Sequence, residues 1–211
     1  MNQLNICSDI DGTVTRSDDW LDLINKSFDK SIASENHKIY DYHRLIGILR
    51  ENYEAFYQKH KKEMFAKSSF RPMAKEVISE FYQNHRVHFV TAWDTDVEPV
   101  TIQWLMENFV DYDSISHLGS HNKVQRAFEL NCDLFIEDRY ENAWELSEAG
   151  FEVLLMNCPY NQGPLHYRTT RICHWNDILE LVREKEVKNI ASYTRALFNP
   201  KQQYEMHSCK I

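Results

Sequence analysis

The apolar positions of this chain follow two rhythms. Short apolar runs occupy residues 4–10, 87–90, 114–118, 133–136, 152–156 and 170–174. Each has the length of a buried strand, and the first stops at Gly12. The run at 114–118 is the weakest, and the run at 170–174 is expected at a sheet edge. Between these runs the apolar residues recur at helical spacing. Val77, Ile78 and Phe81 share one face over 74–82. Val100, Trp104, Leu105 and Phe109 follow Pro99, whose fixed φ suits a first helical turn. Further helical patterns cover 123–130, 141–149 and 177–187, with Gly150 placed as a C-terminal cap. Strands alternating with helices predict βαβ units. The expected fold is α/β: a Rossmann-like parallel sheet with helices on both faces.

Residues 15–71 break the alternation. They hold no convincing strand. Trp20, Leu21, Ile24 and Phe28 outline one helix; Leu45, Ile46, Ile48 and Leu49 outline a second. A charged stretch with Tyr53, Phe56, Tyr57, Met64 and Phe65 reads as a third. The predicted organisation is therefore a core of residues 1–14 and 72–187, a small helical cap of residues 15–71 inserted after the first strand, and a C-terminal tail, 188–211, without a clear pattern. An insertion at that point is expected to lie over the carboxyl edge of the sheet.

Composition narrows the function. The 211 residues are 43% hydrophobic and 27% charged, as in ordinary globular proteins. Lys+Arg is 24 and Asp+Glu is 32, so the formal net charge is −8. That balance gives no general attraction to nucleic-acid polymers or to an anionic membrane surface. No apolar run reaches the roughly 18 residues of a membrane helix. The N-terminus lacks the basic start and apolar stretch of a signal peptide. Cys7, Cys132, Cys158, Cys173 and Cys209 form no Cys-x-x-Cys pair, which points to free thiols in the cytoplasm rather than disulfides or zinc. His117 and His121 are four apart, but Gly119 lies between them and argues against a helical metal pair.

The densest chemistry is Asp9-Ile10-Asp11-Gly12-Thr13-Val14-Thr15, at the end of the first apolar run. Two carboxylates two residues apart on a strand point to the same side. Like charges that close need a shared proton or a metal to neutralise them. Gly12 permits a sharp turn, and Thr13 offers an amide and a hydroxyl to an anion. Carboxyl ends of parallel strands are where open α/β sheets bind ligands. Asp-Gly alone would mark an ordinary turn; the full seven-residue pattern after an apolar strand is far more restrictive.

This segment resembles the first motif of the haloacid dehalogenase-like phosphohydrolases. Three further segments resemble that superfamily's other motifs in the same order. They are Phe89-Val90-Thr91, Lys123 at a helix start, and Phe135-Ile136-Glu137-Asp138. Residues 101–105, 135–143 and Pro159-Tyr160-Asn161 resemble more narrowly the 5′(3′)-deoxyribonucleotidase branch. The resemblance implies a Mg²⁺-dependent phosphomonoester hydrolase. Asp9 would be the nucleophile that forms an aspartyl-phosphate, and Asp11 the general acid and base. Gly12, Thr13, Thr91, Ala92 and Lys123 would bind the phosphate. Asp9, Asp11 through its backbone carbonyl, and Asp138 would hold the metal, with Glu137 in a supporting or water-mediated role. The implied partner is a small phosphorylated metabolite, foremost a nucleoside or deoxynucleoside monophosphate, with a homodimer left open. A phosphatase of another small metabolite, such as a sugar phosphate, is the alternative enzyme. A phosphate-binding sensor without turnover is the alternative outside catalysis. Trp20, Phe28, Tyr40, Tyr42 and His43 are candidate base or sugar contacts from the cap, with Trp20 foremost. Core packing is the competing role for each of these aromatics. Trp93, Arg44 and Arg139 are further candidates near the site.

Overall fold

A computed structural model of the chain describes residues 3–197. Its strands are β1 (Asn5–Ser8), β2 (Arg86–Thr91), β3 (Ser114–His117), β4 (Leu134–Glu137), β5 (Val153–Met156) and β6 (Thr169–Ile172). They form one sheet in the order β3-β2-β1-β4-β5-β6, and every pairing is parallel. The continuous apolar runs are explained by position: β4 and β5 are buried along their whole length, as strands covered on both faces must be. β3 and β6, at the two edges, are only partly buried.

The chain steps outward from β1 to β3, then crosses back to β4 on the other side of β1. The crevice at that reversal is the usual ligand site of such sheets. It opens beside Asp9 and Asp138, one residue beyond β1 and β4. The backbone joins them closely, with Asp9 N–H donating to the Ile136 carbonyl at 2.9 Å.

Helices cover both faces. α4 (Ala74–Asn84), α5 (Glu98–Glu107) and the start of α8 (Trp175–Leu197) pack with Ile6, Phe89 and Leu134 into one core. α6 (Val124–Glu129) and α7 (Tyr140–Glu148) bury Ala127, Ala143 and Leu146 against Cys7, Val90 and Leu155 on the other face. α8 runs ten residues past the expected end at 187, so the first part of the tail is helical. The rest of the tail, Cys209 included, lies outside the described residues.

Between β1 and β2 the segment 15–71 carries α1 (Leu21–Phe28), α2 (Tyr42–Ile46) and α3 (Arg50–Ala66) around its own core of Ile24, Phe56, Met64 and Phe65. The second expected helix is corrected. Gly47 takes a left-handed φ of 69° and ends α2, so Ile48 and Leu49 fall in the corner before α3, with Leu49 71% exposed. The segment's entry and exit run side by side: Arg16 N–H donates to the Ser69 carbonyl and Arg71 N–H to the Val14 carbonyl, both at 2.9 Å, and Thr15 pairs antiparallel with Phe70. Among the described residues no helix is long and apolar enough to cross a membrane. Cys7, Cys132, Cys158 and Cys173 are free thiols.

Candidate active site

Four loops converge at the carboxyl edge of the sheet. The loop after β1 brings Asp9, Asp11, Gly12 and Thr13. β2 ends in Thr91, the residue before α6 is Lys123, and β4 ends in Glu137 followed by Asp138. Asp9, Asp11, Gly12, Thr91, Ala92 and Asp138 line a single cavity of about 780 Å³. Thr13, Lys123 and Glu137 do not line it; they lie buried behind the carboxylates.

Lys123 is 1% exposed, and its ammonium stands 2.8 Å from Asp9 Oδ1 and 2.7 Å from Glu137 Oε2. The second contact is a hydrogen bond. The first is an ion pair only: Asp9 Oδ1 is buried and has no hydrogen bond of acceptable geometry. Glu137 is completely buried and has its other oxygen filled too, by the Arg139 N–H and the Asn142 amide, both at 3.1 Å. Its place in the structure is to seat Lys123 against Asp9. Thr13 Oγ1 donates to Asp138 Oδ1 at 3.2 Å, and the Tyr160 hydroxyl donates to Asp138 Oδ2. Gly12 has φ 74°, and a Cβ there would collide with Asp138 Oδ2, so the turn needs glycine on both counts. Arg71 supports the same turn through the Gly12 carbonyl at 2.7 Å.

Burial dominates the electrostatics. It pushes the Asp9 carboxyl up to about 8; Glu137 and Asp138 add to the rise, and Lys123 opposes it. Burial and Glu137 push Asp138 up to about 6, against the pull of the Tyr160 hydrogen bond. Asp11 keeps part of its surface in the cavity, yet burial and the neighbouring Asp138 and Asp9 hold it well above the usual carboxylate range. Burial alone would depress Lys123; Asp9 and Glu137 outweigh it and keep the ammonium protonated.

Oxygen atoms of Asp9, Glu137 and Asp138 lie within 4.8 Å of one another. Three buried acids face one buried ammonium, Lys123, so the cluster carries excess negative charge once it is ionised. All-oxygen donors with excess negative charge fit a hard divalent cation. Asp9 and Asp138, which face the cavity, therefore fit Mg²⁺; Glu137 stands behind them with both oxygens already bonded, and the Asp11 carboxyl is not part of the cluster.

The insertion supplies the upper walls. Trp20, Tyr40, Tyr42 and His43 line the cavity; Phe28 does not, and packs on Phe56 at 5.1 Å. Trp20 also belongs to the insertion's core, 8% exposed and 5.3 Å from Phe65, with its indole nitrogen unpartnered. Trp93 and Arg139 line the cavity, while Arg44 is an exposed partner of Asp41. His117 and His121 do not meet as a pair: His117 bonds Thr101, and His121 faces the cavity beside Tyr40. Several lining residues escaped the sequence reading, Tyr53, His37 and Tyr160 among them. His37 has nothing in its local sequence to mark it. Tyr160 lies in a segment that carries the resemblance, but its spacing gives no sign of a contact with Asp138.

A sheet of this order, with an Asp-x-Asp turn after its central strand and a lysine and an acid pair closing the crevice, defines a haloacid dehalogenase-like phosphohydrolase. Solved structures share the fold. A haloacid dehalogenase-like hydrolase from Streptococcus pneumoniae superposes with a TM-score of 0.65 at 14% identity, covering 85% of this chain and 98% of that one. D,D-heptose 1,7-bisphosphate phosphatase from B. bronchiseptica, solved with magnesium and phosphate, gives 0.55 at 12% identity over 87% and 99%. Residues 2–187 match the model of the family described as 5′ nucleotidase, deoxy (Pyrimidine), cytosolic type C protein, and the chain belongs to that family. It is similar to a protein named as a nucleotidase from Clostridium acetobutylicum, 42% identical over 182 residues, 86% of this chain and 95% of the relative. The chain is thus a phosphomonoester hydrolase.

Proposed function

We propose that the substrate is a nucleoside or deoxynucleoside monophosphate, hydrolysed through a phosphoryl group carried on Asp9. The observation that carries this reading is the two-part cavity. Its floor is acidic and holds Asp9 beside Lys123; its walls are aromatic rings, among them Trp20, Tyr42, Tyr53 and Trp93. A phosphate fits the floor, and a base or sugar fits between the rings. The volume is that of a small-molecule site. The names of the family and of the Clostridium acetobutylicum relative support the same substrate class.

Asp9, the backbone carbonyl of Asp11 and Asp138 would hold Mg²⁺, which when bound neutralises the phosphate dianion against the surrounding carboxylates and leaves the Asp11 carboxyl free for proton transfer. Asp9 attacks phosphorus, and the bond to the ester oxygen breaks. Asp11 gives that leaving oxygen a proton; its raised affinity for protons suits it to begin as the acid. Asp11 then takes a proton from the water that attacks the aspartyl-phosphate, which returns Asp9 as a carboxylate. Thr91, Ala92 and Gly12, which line the cavity, surround the phosphoryl oxygens, with Thr13 behind the turn holding Asp138. Lys123, fixed by Glu137, supplies positive charge at the point of attack. The segment 15–71 acts as a cap that excludes water and selects the leaving group. Free thiols suit a reducing compartment such as the cytoplasm.

Released phosphate, measured over a panel of nucleotides and sugar phosphates with Mg²⁺, tests the reading. Nucleoside monophosphates are expected to give the highest kcat/KM, and Asp9→Asn to abolish turnover on all of them. A sugar phosphate ranking first would overturn the substrate assignment. A tenth of native turnover left in Asp9→Asn would overturn the nucleophile.

A further inference from the structure

The loop after β5 grips Asp138 at both ends. Asn161, 1% exposed, donates from its side-chain amide to the Asp138 carbonyl at 2.6 Å and to the Met156 carbonyl at 2.7 Å. The same side chain accepts from Cys158 N–H at 3.1 Å and from Arg171 at 2.6 Å. Asn161 therefore ties the loop to the backbone of the β4 end. Tyr160 reaches the other end of the same residue, its hydroxyl donating to Asp138 Oδ2. Its ring faces the insertion: His37 lies 4.9 Å away and Tyr40 5.5 Å away between centroids.

We propose that Tyr160 is the positioning residue for Asp138, holding that carboxylate in the orientation in which it binds Mg²⁺. The proposal rests on the reading of Asp138 as a metal ligand. A carboxylate beyond the end of a strand can rotate, and an unfixed ligand binds a metal less well because its rotation must be stopped on binding. Asp138 has two fixed partners. Thr13 bonds Oδ1 from the nucleophile loop, and Tyr160 bonds Oδ2 from the loop after β5. Each oxygen keeps a lone pair. The Tyr160 bond can be reached from the insertion, because His37 and Tyr40 pack on that ring. Gly12 makes the arrangement possible: a Cβ there would lie 3.0 Å from the Tyr160 hydroxyl as well as against Asp138.

The test is Tyr160→Phe, which keeps the ring between His37 and Tyr40 and removes only the hydroxyl. Three quantities are measured: the Mg²⁺ dissociation constant by calorimetry on metal-stripped protein without substrate, the metal-free Tm, and kcat as a function of Mg²⁺. The expected result is a roughly ten- to hundredfold weaker Mg²⁺ affinity, the usual effect of removing a metal ligand's supporting partner. The metal-free Tm should stay within about 2 °C of native, and most of kcat should return at saturating Mg²⁺. An unchanged Mg²⁺ affinity overturns the proposal. So does a metal-free Tm lower by more than about 5 °C, or a chain that fails to fold, since either would assign the hydroxyl to the fold. A loss of kcat that excess Mg²⁺ does not restore overturns it as well, and assigns the hydroxyl to substrate. Asp138→Asn is the control: if it binds Mg²⁺ as the native protein does, the ligand reading of Asp138 fails independently of Tyr160.

Discussion

Asp9 and Asp11 share one turn but meet different surroundings, and the roles proposed for them rest on that difference. Asp9 is held 2.8 Å from Lys123, whereas Asp11 feels burial first and then the carboxylates of Asp138 and Asp9. An acid whose proton is held tightly is matched to protonating a leaving oxygen. Asp11→Asn should therefore slow a nucleotide, with its poor alkoxide leaving group, at least about tenfold more than 4-nitrophenyl phosphate, which needs little protonation. Equal losses in kcat on the two esters would remove Asp11 from the acid role. At this scale the residues of the candidate site were legible in the sequence, because Asp9, Thr91, Lys123 and Asp138 each sit at a strand end or helix start, and Asp11 in the turn after one, where a short motif can mark them. Lys123's two partners were not legible. Glu137 and Asp9 come from different strands, and only the parallel pairing of β1 with β4 brings them together.

At the scale of elements, the strands and the helices flanking them could be read from period alone, since each buries one continuous apolar face. The insertion was read less well. Ile48 and Leu49 continue an apolar pattern that Gly47 cuts, and a single left-handed residue outweighs the periodicity there. Trp20 shows the same ambiguity in its energetics. It contributes to the insertion's core and faces the cavity at once. Trp20→Ala should lower Tm, as large-to-small core changes do. It should also reduce kcat/KM for nucleotides by roughly ten- to a hundredfold, the range expected for a lost base stack. Hydrolysis of 4-nitrophenyl phosphate should scarcely change. Equal losses on both esters would show that Trp20 serves packing alone.

For the molecule as a whole, the raised acids make metal binding and stability depend on pH together. Asp9 near 8 and Asp138 near 6 hold protons that the unfolded chain, with ordinary carboxylates, has already released. The folded state then binds more protons, so metal-free stability from these groups is full at low pH and falls as pH rises toward 8. His37 and His121, held near 4 by burial, slope the other way, but only below the ordinary histidine value of about 6.5. In the proposed site Mg²⁺ competes with the protons on the acids. The gain in Tm from saturating Mg²⁺ should thus grow between pH 6 and 8, which thermal melts with and without the metal would show. A gain that is constant over this range would mean the acids are already ionised without metal.

The paired entry and exit of the insertion have an evolutionary reading. Because Arg16 bonds Ser69 and Arg71 bonds Val14, the ends of the segment 15–71 are fixed next to each other whatever lies between them. To the sheet, the whole segment is equivalent to a tight turn after Val14. Loops whose ends meet this way tolerate replacement and changes in length at little cost to the rest of the fold. Selection could therefore exchange one segment for another and change the molecules this enzyme accepts, while Asp9, Lys123 and Asp138 stayed where they are.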